Sequence, residues 1–220
     1  MPFLLDDKIP FFPSPYLADE EGLLAVGGNI TPPFLEAAYR WGIFPWYSER
    51  MPVLWWSPAE RPVFFPGEVK KSKSMRQWIR RHAGYRITMD RAMEEVLHHC
   101  ATVPRKDGEG TWLNPQLQES ILVLHRRGKA RSVEVWDDKG RLRGGLYGIH
   151  AGEDGRIFSG DSMFSLEPNT SKYALIWLVE NATRLGYKLI DGQVVSGHLL
   201  RMGAKVLRRK EFLDKYVFGI

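Results

Sequence analysis

The apolar positions of the first sixty residues are broken by prolines, aromatic residues and short turns, and one helix stands out among them. Thr31 can cap that helix, Pro32 suits its first turn and Gly42 can end it. The segments 42–48 and 53–58 are short and rich in aromatic residues, which is typical of extended structure. This part of the chain is predicted to hold one helix and a few short strands.

A different pattern begins after a proline-rich stretch from Pro58 to Pro66. From residue 67 onward, apolar-periodic segments alternate with runs of β-branched and aromatic residues. We therefore expect a small N-terminal domain over residues 1–66 and a second domain over residues 67–220.

The second part is predicted to contain helices and strands in succession. Helices are expected at 73–82, at 91–100 with Asp90 as the cap, from Pro115 to just before Gly128 with Asn114 as the cap, at 171–184 and from His198. Strands are expected at 85–89, 133–136, 141–149, 157–164 and 188–194. Turns at 137–140 and 153–156 join three of these strands into a meander. The fold class is therefore α+β with a mostly antiparallel sheet.

Charge adds a candidate binding surface to this picture. The 220 residues carry a formal net charge of +5, and seven Lys or Arg but no acidic residue lie between Val69 and Arg86. A solvated helix face is the ordinary interpretation of such a run, but the lack of any carboxylate favours a patch that binds phosphates. The candidate nucleic-acid-binding residues are Lys70, Lys71, Lys73, Arg76, Arg80 and Arg81.

Cysteine usage and hydropathy limit the compartment. Cys100 is the single cysteine, so neither a disulfide within the chain nor a thiolate metal cluster is expected. The first residues lack the features of a signal peptide, and no apolar run has the length of a membrane span. We expect a cytoplasmic protein with no membrane partner and no metal.

Common catalytic motifs are missing from the sequence, among them the G-x-S-x-G elbow, the H-E-x-x-H zinc motif and the P-loop. The three glycines of 144–148 do not fit G-x-G-x-x-G. Their ordinary interpretation is a strand that another part of the chain approaches closely.

Asp191 and Gln193 are the strongest catalytic candidates. Residues two apart on a strand face the same side, so these side chains would project together between apolar Ile190 and Val194. Buried polar groups need hydrogen-bond partners or a ligand. The pair either closes the end of a buried strand or takes part in a reaction, and the residues alone leave both possibilities open.

Asp161 lies near apolar Met163 and Phe164. Such surroundings suit a pocket that binds an ammonium group together with an apolar side chain. An edge-strand carboxylate above ordinary core residues is the simpler interpretation.

Four tryptophans, at positions 46, 55, 56 and 112, lie in turn-rich or loop-like segments. Most tryptophans are core residues. Nucleobases can nevertheless stack on rings in loops near a basic surface, for roughly 1–3 kcal/mol each.

Taken together, these segments resemble the leucyl/phenylalanyl-tRNA–protein transferases of bacteria over nearly the whole chain. The motifs that carry the resemblance keep their order and spacing: FPSP (12–15), GLLAVGGNITP (22–32), AAYRWGIFPWYS (37–48), LWWSP (54–58), SKSM (72–75), GTW (110–112), SVEVW (132–136), GGLYG (144–148), FSGDSMFS (158–165), SK (171–172), LIDGQV (189–194), the histidine at 198 and MGA (202–204).

The resemblance implies a GNAT-like acyltransferase domain that follows a small N-terminal domain. It implies transfer of Leu, and also Phe or Met, from aminoacyl-tRNA to the N-terminal amine of acceptor proteins. The acceptors would usually start with Arg or Lys, and transfer would mark them for N-end-rule degradation. No cofactor is implied, and we expect a monomer.

The resemblance also implies roles for individual residues. Trp46 and Trp112 would hold the 3′-terminal adenosine, while Leu146, Phe158 and Met163 would line an apolar pocket for the donor side chain. Asp191 and Gln193 would lie at the reaction centre.

Three positions depart from the family pattern. The family usually has Glu at Asp161, Cys at Gly192 and often Asn at Ser196. Asp161 and Ser196 are expected to touch substrate, so the shorter acid at 161 bears on the choice of acceptor.

A mechanism follows from the chemistry of the implied substrates. The donor is an activated ester, and a free α-amine has a pKa near 7.7–8.0, so part of it is already unprotonated at neutral pH. The enzyme then needs mainly to position the reactants. Gln193 would accept a hydrogen bond from the attacking amine, and Asp191 would orient Gln193 or take up the proton.

Two other functions fit parts of the sequence. An acetyl-CoA-dependent acyltransferase would need an R-x-x-G-x-G/A loop before a helix, and the segment 141–146 breaks that pattern at its last position. A noncatalytic RNA-binding module fits the charge and the tryptophans but leaves Asp191 and Gln193 unexplained.

Overall fold

The computed structural model describes residues 1–48, 51–103 and 113–220. Within these ranges the strands are β1 (Phe3–Leu5), β2 (Leu23–Gly27), β3 (Phe44–Pro45), β4 (Leu54–Trp56), β5 (Glu60–Phe64), β6 (Arg86–Met89), β7 (Ala130–Trp136), β8 (Leu142–Ala151), β9 (Ile157–Ser165), β10 (Leu189–Asp191) and β11 (Lys205–Arg208). The helices are α1 (Pro32–Arg40), α2 (Lys73–Arg81), α3 (Met93–Thr102), α4 (Pro115–Arg126), α5 (Thr170–Asn181), α6 (Gly197–Arg201) and α7 (Arg209–Phe212).

Seven strands form the larger sheet, in the order β11-β5-β10-β9-β8-β7-β6. Neighbouring strands are antiparallel except for β10 and β9, which run parallel. The predicted α+β class with a mostly antiparallel sheet is confirmed. The smaller sheet has the order β1-β2-β4-β3.

The strand β5 lies within the proline-rich stretch from Pro58 to Pro66. It pairs with β10 on one side and with β11 on the other, inside the larger sheet. Pro62 has no backbone N–H and so cannot donate a hydrogen bond to a neighbouring strand. Its carbonyl nevertheless accepts from Gly192 N–H at 2.8 Å. The proline-rich stretch therefore carries an inner strand of the larger sheet, while the division into domains at residue 66 stays a prediction.

The two faces of the larger sheet have separate hydrophobic cores. One core is shared with the N-terminal elements and includes Leu35 of α1, Trp55 of β4 and Ile157 of β9. The other core lies under α2 and α5 and includes Met75 and Leu178. The N-terminal elements therefore pack directly against the sheet that carries the candidate catalytic residues.

Most of the predicted helices are confirmed, and their ends show which caps the sequence identified. Asn114 caps α4, since its Oδ1 accepts from Leu117 N–H at 2.9 Å. Asp90, however, does not cap α3, which begins after Ala92. Its carboxylate instead accepts from Ser132 N–H on β7 at 3.0 Å, because residue 90 has a left-handed backbone with a φ of 62°. No helix in the described ranges is long and apolar enough to span a bilayer.

Candidate active site

A β-bulge at Asp161 organises the centre of the larger sheet. Ser162 pairs with Tyr147 of β8, but Gly160 pairs with the next residue, Gly148, so Asp161 is the extra residue of β9. A bulge redirects the side chains that follow it to the opposite face. Since β9 lies between β10 and β8, the interpretation of Asp161 as an edge-strand residue is wrong.

The bulge brings together two side chains that a regular strand would separate. Phe158 and Met163 are five residues apart, so without the bulge they would face opposite sides of the sheet. Both instead line an apolar cavity of about 400 Å³, together with Leu146 of β8. Leu175 and Leu178 of α5 form another wall. The three residues predicted for an apolar pocket thus share one cavity.

The glycines of 144–148 make this arrangement possible. A Cβ on Gly148 would lie 2.4 Å from Phe158 Cε1 and 2.3 Å from the Ser159 carbonyl oxygen. A Cβ on Gly144 would lie 2.2 Å from Thr170 Oγ1. The close approach expected for this motif is confirmed. Gly148 leaves room for Phe158, which lines the cavity, and Gly144 leaves room for Thr170 at the start of α5.

A second cavity, of about 200 Å³, adjoins the first. Its walls include Phe44, Pro45 and Trp46 of the N-terminal part and Gln193 of the C-terminal part. Both cavities border Gly160, Asp161, Gly192 and Val194. The Trp46 ring is 45% exposed whereas Trp55 is fully buried, so Trp46 is available as a platform. Trp112 lies outside the described residues.

Asp161 lies where the two cavities meet. Its carboxylate accepts from Tyr39 Oη at 2.8 Å and from Gln193 Nε2 at 2.6 Å. Burial raises the pKa of Asp161 to about 7, and the negative charge of Asp191 acts in the same direction. The two hydrogen bonds oppose this shift because they favour the ionised form. A carboxyl that titrates near neutrality therefore borders both cavities.

Tyr39 is a site residue that sequence reasoning missed. It is almost fully buried on α1, where its position looked like part of an ordinary apolar helix face. Burial raises the pKa of Tyr39 well above its ordinary value, and the Asp161 charge adds to the effect. Its hydroxyl therefore stays protonated and serves as a donor to Asp161.

Gln193 lies beyond the end of β10 rather than on it. The strand ends at Asp191, so the predicted strand over 188–194 is wrong in its last part. Gln193 has a left-handed backbone with a φ of 62°, a conformation that costs a residue other than glycine about 1–3 kcal/mol. Its backbone N–H donates to Asp191 Oδ1 at 2.9 Å, which helps to offset that cost.

Asp191 and Gln193 nevertheless belong to one buried network. Gln193 Nε2 donates to Ser159 Oγ at 3.1 Å, and Ser159 Oγ donates to Asp191 Oδ2 at 3.2 Å. Ser159 is buried on β9 and was not identified from the sequence. The proximity of the two predicted residues thus comes from a turn and a neighbouring strand, not from spacing on one strand.

Arg61 of β5 holds Asp191 from the other side. Its Nε donates to Asp191 Oδ1 at 3.1 Å, and its Nη2 forms an ion pair with Oδ2. Its Nη1 donates to the Gly42 carbonyl at 2.8 Å, and its guanidinium carbon lies 5.0 Å from the ring centroid of Phe44 and 4.5 Å from that of Phe212. Both Asp191 and Arg61 are buried. The Asp191 carboxylate is therefore held by Arg61 on one side and by Ser159 and the Gln193 backbone N–H on the other.

Ser196 lies at the rim of the apolar cavity. Its hydroxyl caps α6 by accepting from Leu199 N–H at 3.3 Å. His198, two residues further along the chain, lines the cavity as well.

The predicted basic helix is confirmed as α2. Met75 points into the core, and Ser72 caps the helix by accepting from Met75 N–H at 3.1 Å. Lys71 forms an ion pair with Glu180 of α5. In the part of the chain that the structure describes, no ion pair involves the other five candidates, Lys70, Lys73, Arg76, Arg80 and Arg81. All five are exposed.

The chain is similar to known proteins over nearly its whole length. The model of the leucyl/phenylalanyl-tRNA protein transferase family matches residues 63–216, and the model of its N-terminal domain matches residues 28–59. The chain belongs to this family. Proteins named leucyl/phenylalanyl-tRNA–protein transferase from Syntrophus aciditrophicus and Syntrophobacter fumaroxidans are each 48% identical to it. The alignments cover 96% of this chain and 87% and 88% of theirs.

One solved structure is also similar. A conserved protein of unknown function from Bacteroides thetaiotaomicron is 13% identical, with a TM-score of 0.47 over 72% of this chain and 55% of that chain.

Family membership itself makes this chain an aminoacyltransferase, so the resemblance seen in the sequence is confirmed. The acetyl-CoA-dependent and noncatalytic alternatives are set aside.

Proposed function

We propose that this enzyme transfers Leu, and also Phe or Met, from aminoacyl-tRNA to the N-terminal amine of acceptor proteins. The acceptors usually start with Arg or Lys, and transfer marks them for N-end-rule degradation. One observation carries the proposal: an apolar cavity and a tryptophan-walled cavity meet at a carboxyl–amide pair, Asp161 and Gln193.

The two cavities suit the two ends of the donor. The apolar cavity accepts an aliphatic or aromatic side chain, which Leu146, Phe158 and Met163 read by volume. The terminal adenosine stacks on Trp46 in the adjoining cavity, as the family resemblance implies. The ester that joins the two parts of the donor then lies beside Asp161 and Gln193.

The reaction at that junction needs an orienting acceptor and a proton carrier. The acceptor nitrogen forms an amide bond to the donor carbonyl carbon, the ester C–O bond breaks, and the ribose oxygen leaves with the electron pair. Gln193 Nε2 already donates to Asp161 and Ser159, so its carbonyl end accepts from the attacking amine. Asp161 takes the proton of that amine, and the ribose oxygen is protonated in turn.

Asp191 acts indirectly in this scheme. Its oxygens are occupied by Arg61, Ser159 and the Gln193 backbone. It therefore holds the Gln193 turn in place, and the proton passes through Asp161.

The same proposal covers the fold family, the oligomeric state and the compartment of the enzyme. We propose a GNAT-like larger sheet, which is supported by the parallel pair β9 and β10 beside the cavity, and a monomeric cytoplasmic enzyme. The phosphates of the tRNA lie along α2, whose exposed cations are described above. Two structural features support this path: α2 packs on α5 through Trp78 and Tyr173, and α5 lines the cavity.

Purified charged tRNAs and peptides that differ only in their first residue test the proposal. We expect transfer of Leu, with Phe and Met weaker, to peptides starting with Arg or Lys. Transfer of Arg with no transfer of Leu would refute the donor assignment. Equal transfer to all first residues would refute the acceptor rule and leave the reaction itself intact.

A further inference from the structure

One basic side chain lines the apolar cavity and two more lie about one helical turn from its walls, and none of them takes part in the reaction described above. His198 lines the cavity from α6. Arg201 lies three residues further along α6, and Lys172 lies three residues before the cavity-lining Leu175 on α5. Residues three apart on a helix share a face. Each of the two helices therefore places a cation about one turn from a cavity wall.

The contacts of these side chains leave their charges unbalanced. Lys172 is half-buried, and its Nζ donates to Asn169 Oδ1 at 3.2 Å. The Arg201 guanidinium folds back over Gly197, where a Cβ would lie 3.1 Å from its Nη1. Neither cation forms an ion pair within residues 1–48, 51–103 and 113–220.

The helices α5 and α6 line the same cavity, and both cations act electrostatically on His198. Burial lowers the pKa of His198, and the charges of Lys172 and then Arg201 lower it further. Like charges gathered beside an apolar cavity disfavour one another, and an anion bound among them relieves that repulsion.

The rim cluster also joins the cavity to the basic segment before α2. The Met202 carbonyl, just after α6, accepts from Lys70 N–H at 2.7 Å. A Cβ on Gly203 would lie 3.0 Å from Lys70 Cγ. The end of α6 therefore touches the first residue of the basic segment, and the cations continue from the cavity rim to the exposed face of α2.

We propose that Lys172, His198 and Arg201 bind the phosphodiester groups nearest the terminal nucleotide of the donor, between the aminoacyl pocket and α2. This proposal rests on the function proposed above, and it assigns to the rim a ligand class that the reaction centre does not use. Lys172 and Arg201 supply the charge, and His198, which is neutral near pH 7, supplies a hydrogen bond.

Donors of increasing length test this site. We would compare leucyl-adenosine, which has no phosphate, with a leucylated CCA trinucleotide and with leucyl-tRNA. For the double variant Lys172→Gln and Arg201→Gln, kcat/KM should fall on the order of tenfold or more with the trinucleotide and with tRNA, because charge-assisted hydrogen bonds are removed. Transfer from leucyl-adenosine should stay at the wild-type rate. The single variant Lys172→Arg, which keeps the charge, should retain most of the wild-type kcat/KM with the trinucleotide and with tRNA.

An α2 variant with Lys73, Arg76 and Arg80 changed to Ala provides the matched control. It should lose activity with tRNA only, because the trinucleotide is too short to reach α2. If kcat/KM of the double variant fell equally with all three donors, the proposal would be overturned. Lys172 and Arg201 would then affect the aminoacyl pocket itself and not the phosphates. A decrease that depends on acidic residues of the acceptor peptide would also overturn it and assign the rim to the protein substrate.

Failure of the proposed function has a different signature from failure of this site. If the wild-type enzyme transfers from none of the donors, the function is wrong. Binding of the uncharged CCA trinucleotide to wild type and to the double variant then decides the rim site by itself. Equal affinities would refute it, and weaker binding by the variant would support it.

Discussion

Gln193 Nε2 lies 2.6 Å from Asp161 Oδ1, at the junction of two cavities. Both residues have irregular backbone: Asp161 is the extra residue of a bulge, and Gln193 is left-handed. Bulges and strained residues often re-aim side chains at functional sites. In the proposed reaction, the pair combines a proton acceptor with an oriented amide, which is what attack by an amine on an ester requires.

The pH dependence of transfer should reveal Asp161. With its pKa raised to about 7, its ionised fraction, and with it the rate, should rise as pH rises through 7. Asp161→Asn should remove this rise and slow single-turnover transfer on the order of 10²-fold. The remaining pH dependence should follow the acceptor amine, near 7.7–8.0. Asp161→Glu restores a carboxyl and is the control, and an unchanged profile in the Asn variant would exclude Asp161 as the proton acceptor.

The same group should make folding stability depend on pH. The folded pKa of Asp161, about 7, is above its ordinary value of 3.8. The folded state therefore binds more protons between these values, and the free energy of unfolding should fall as pH rises from about 4 to 7. Urea unfolding of wild type and Asp161→Asn across this range measures the effect. In the variant, the free energy of unfolding should decline less steeply with pH. Identical slopes for the two proteins would mean that Asp161 keeps its ordinary pKa in the folded state.

Asp191 and Gln193 should affect transfer more than binding of charged tRNA. Gln193→Ala removes the amide that accepts from the amine, so single-turnover transfer should drop on the order of 10²-fold with little change in tRNA affinity. Asp191→Asn leaves Arg61 buried without its counter-charge, so this variant should also lose thermal stability.

Arg61 supplies the control for Asp191. Replacing both buried partners, with Arg61→Met and Asp191→Asn, removes the uncompensated charge and should recover part of the thermal stability.

A separate outcome decides the role of Gln193. If the folded Gln193→Ala variant transferred at the full wild-type rate, Gln193 would have no part in the mechanism.

The apolar cavity should set the donor preference by volume. Met163→Ala enlarges the cavity and should shift the ratio of Phe to Leu transfer toward Phe. One methylene in such a pocket is worth about 1–3 kcal/mol, so the ratio should change roughly 10-fold or more. Phe164→Leu is the matched control, because Phe164 lies next along β9 but in the opposite core. It should lower stability and leave the ratio unchanged, whereas a similar shift in both variants would contradict the assignment.

The exposed cations of α2 should set the salt dependence of tRNA binding. Changing Lys73, Arg76 and Arg80 to Ala should weaken binding and reduce the slope of log K against log salt by about 0.7–0.9 for each phosphate that the helix no longer neutralises. Lys71→Ala is the control, since Lys71 already pairs with Glu180 and should change the slope less. An unchanged slope in the triple variant would place the tRNA elsewhere.

Local signals in the sequence predict individual elements, but they do not identify Tyr39, Ser159 or Arg61 at the site. The sequence predicts α2 from its run of basic residues and α4 from its capping residue Asn114, because such signals act over a few positions. Leu146, Phe158 and Met163 were assigned to one pocket through the family resemblance, and the cavity that they line contains all three. The spacing of 158 and 163 by itself points to opposite faces of a strand.

The sequence by itself determined the α+β class and the basic helix, since both depend on short-range pattern. Only the tertiary structure decided how the residues of the candidate site meet. The bulge at Asp161 arises from pairing with β8, and β5 brings Arg61 to Asp191 from 130 residues away. Tyr39 reaches Asp161 across 122 residues. Such contacts depend on register between distant strands, and register is set by packing of the whole sheet rather than by any local run of residues.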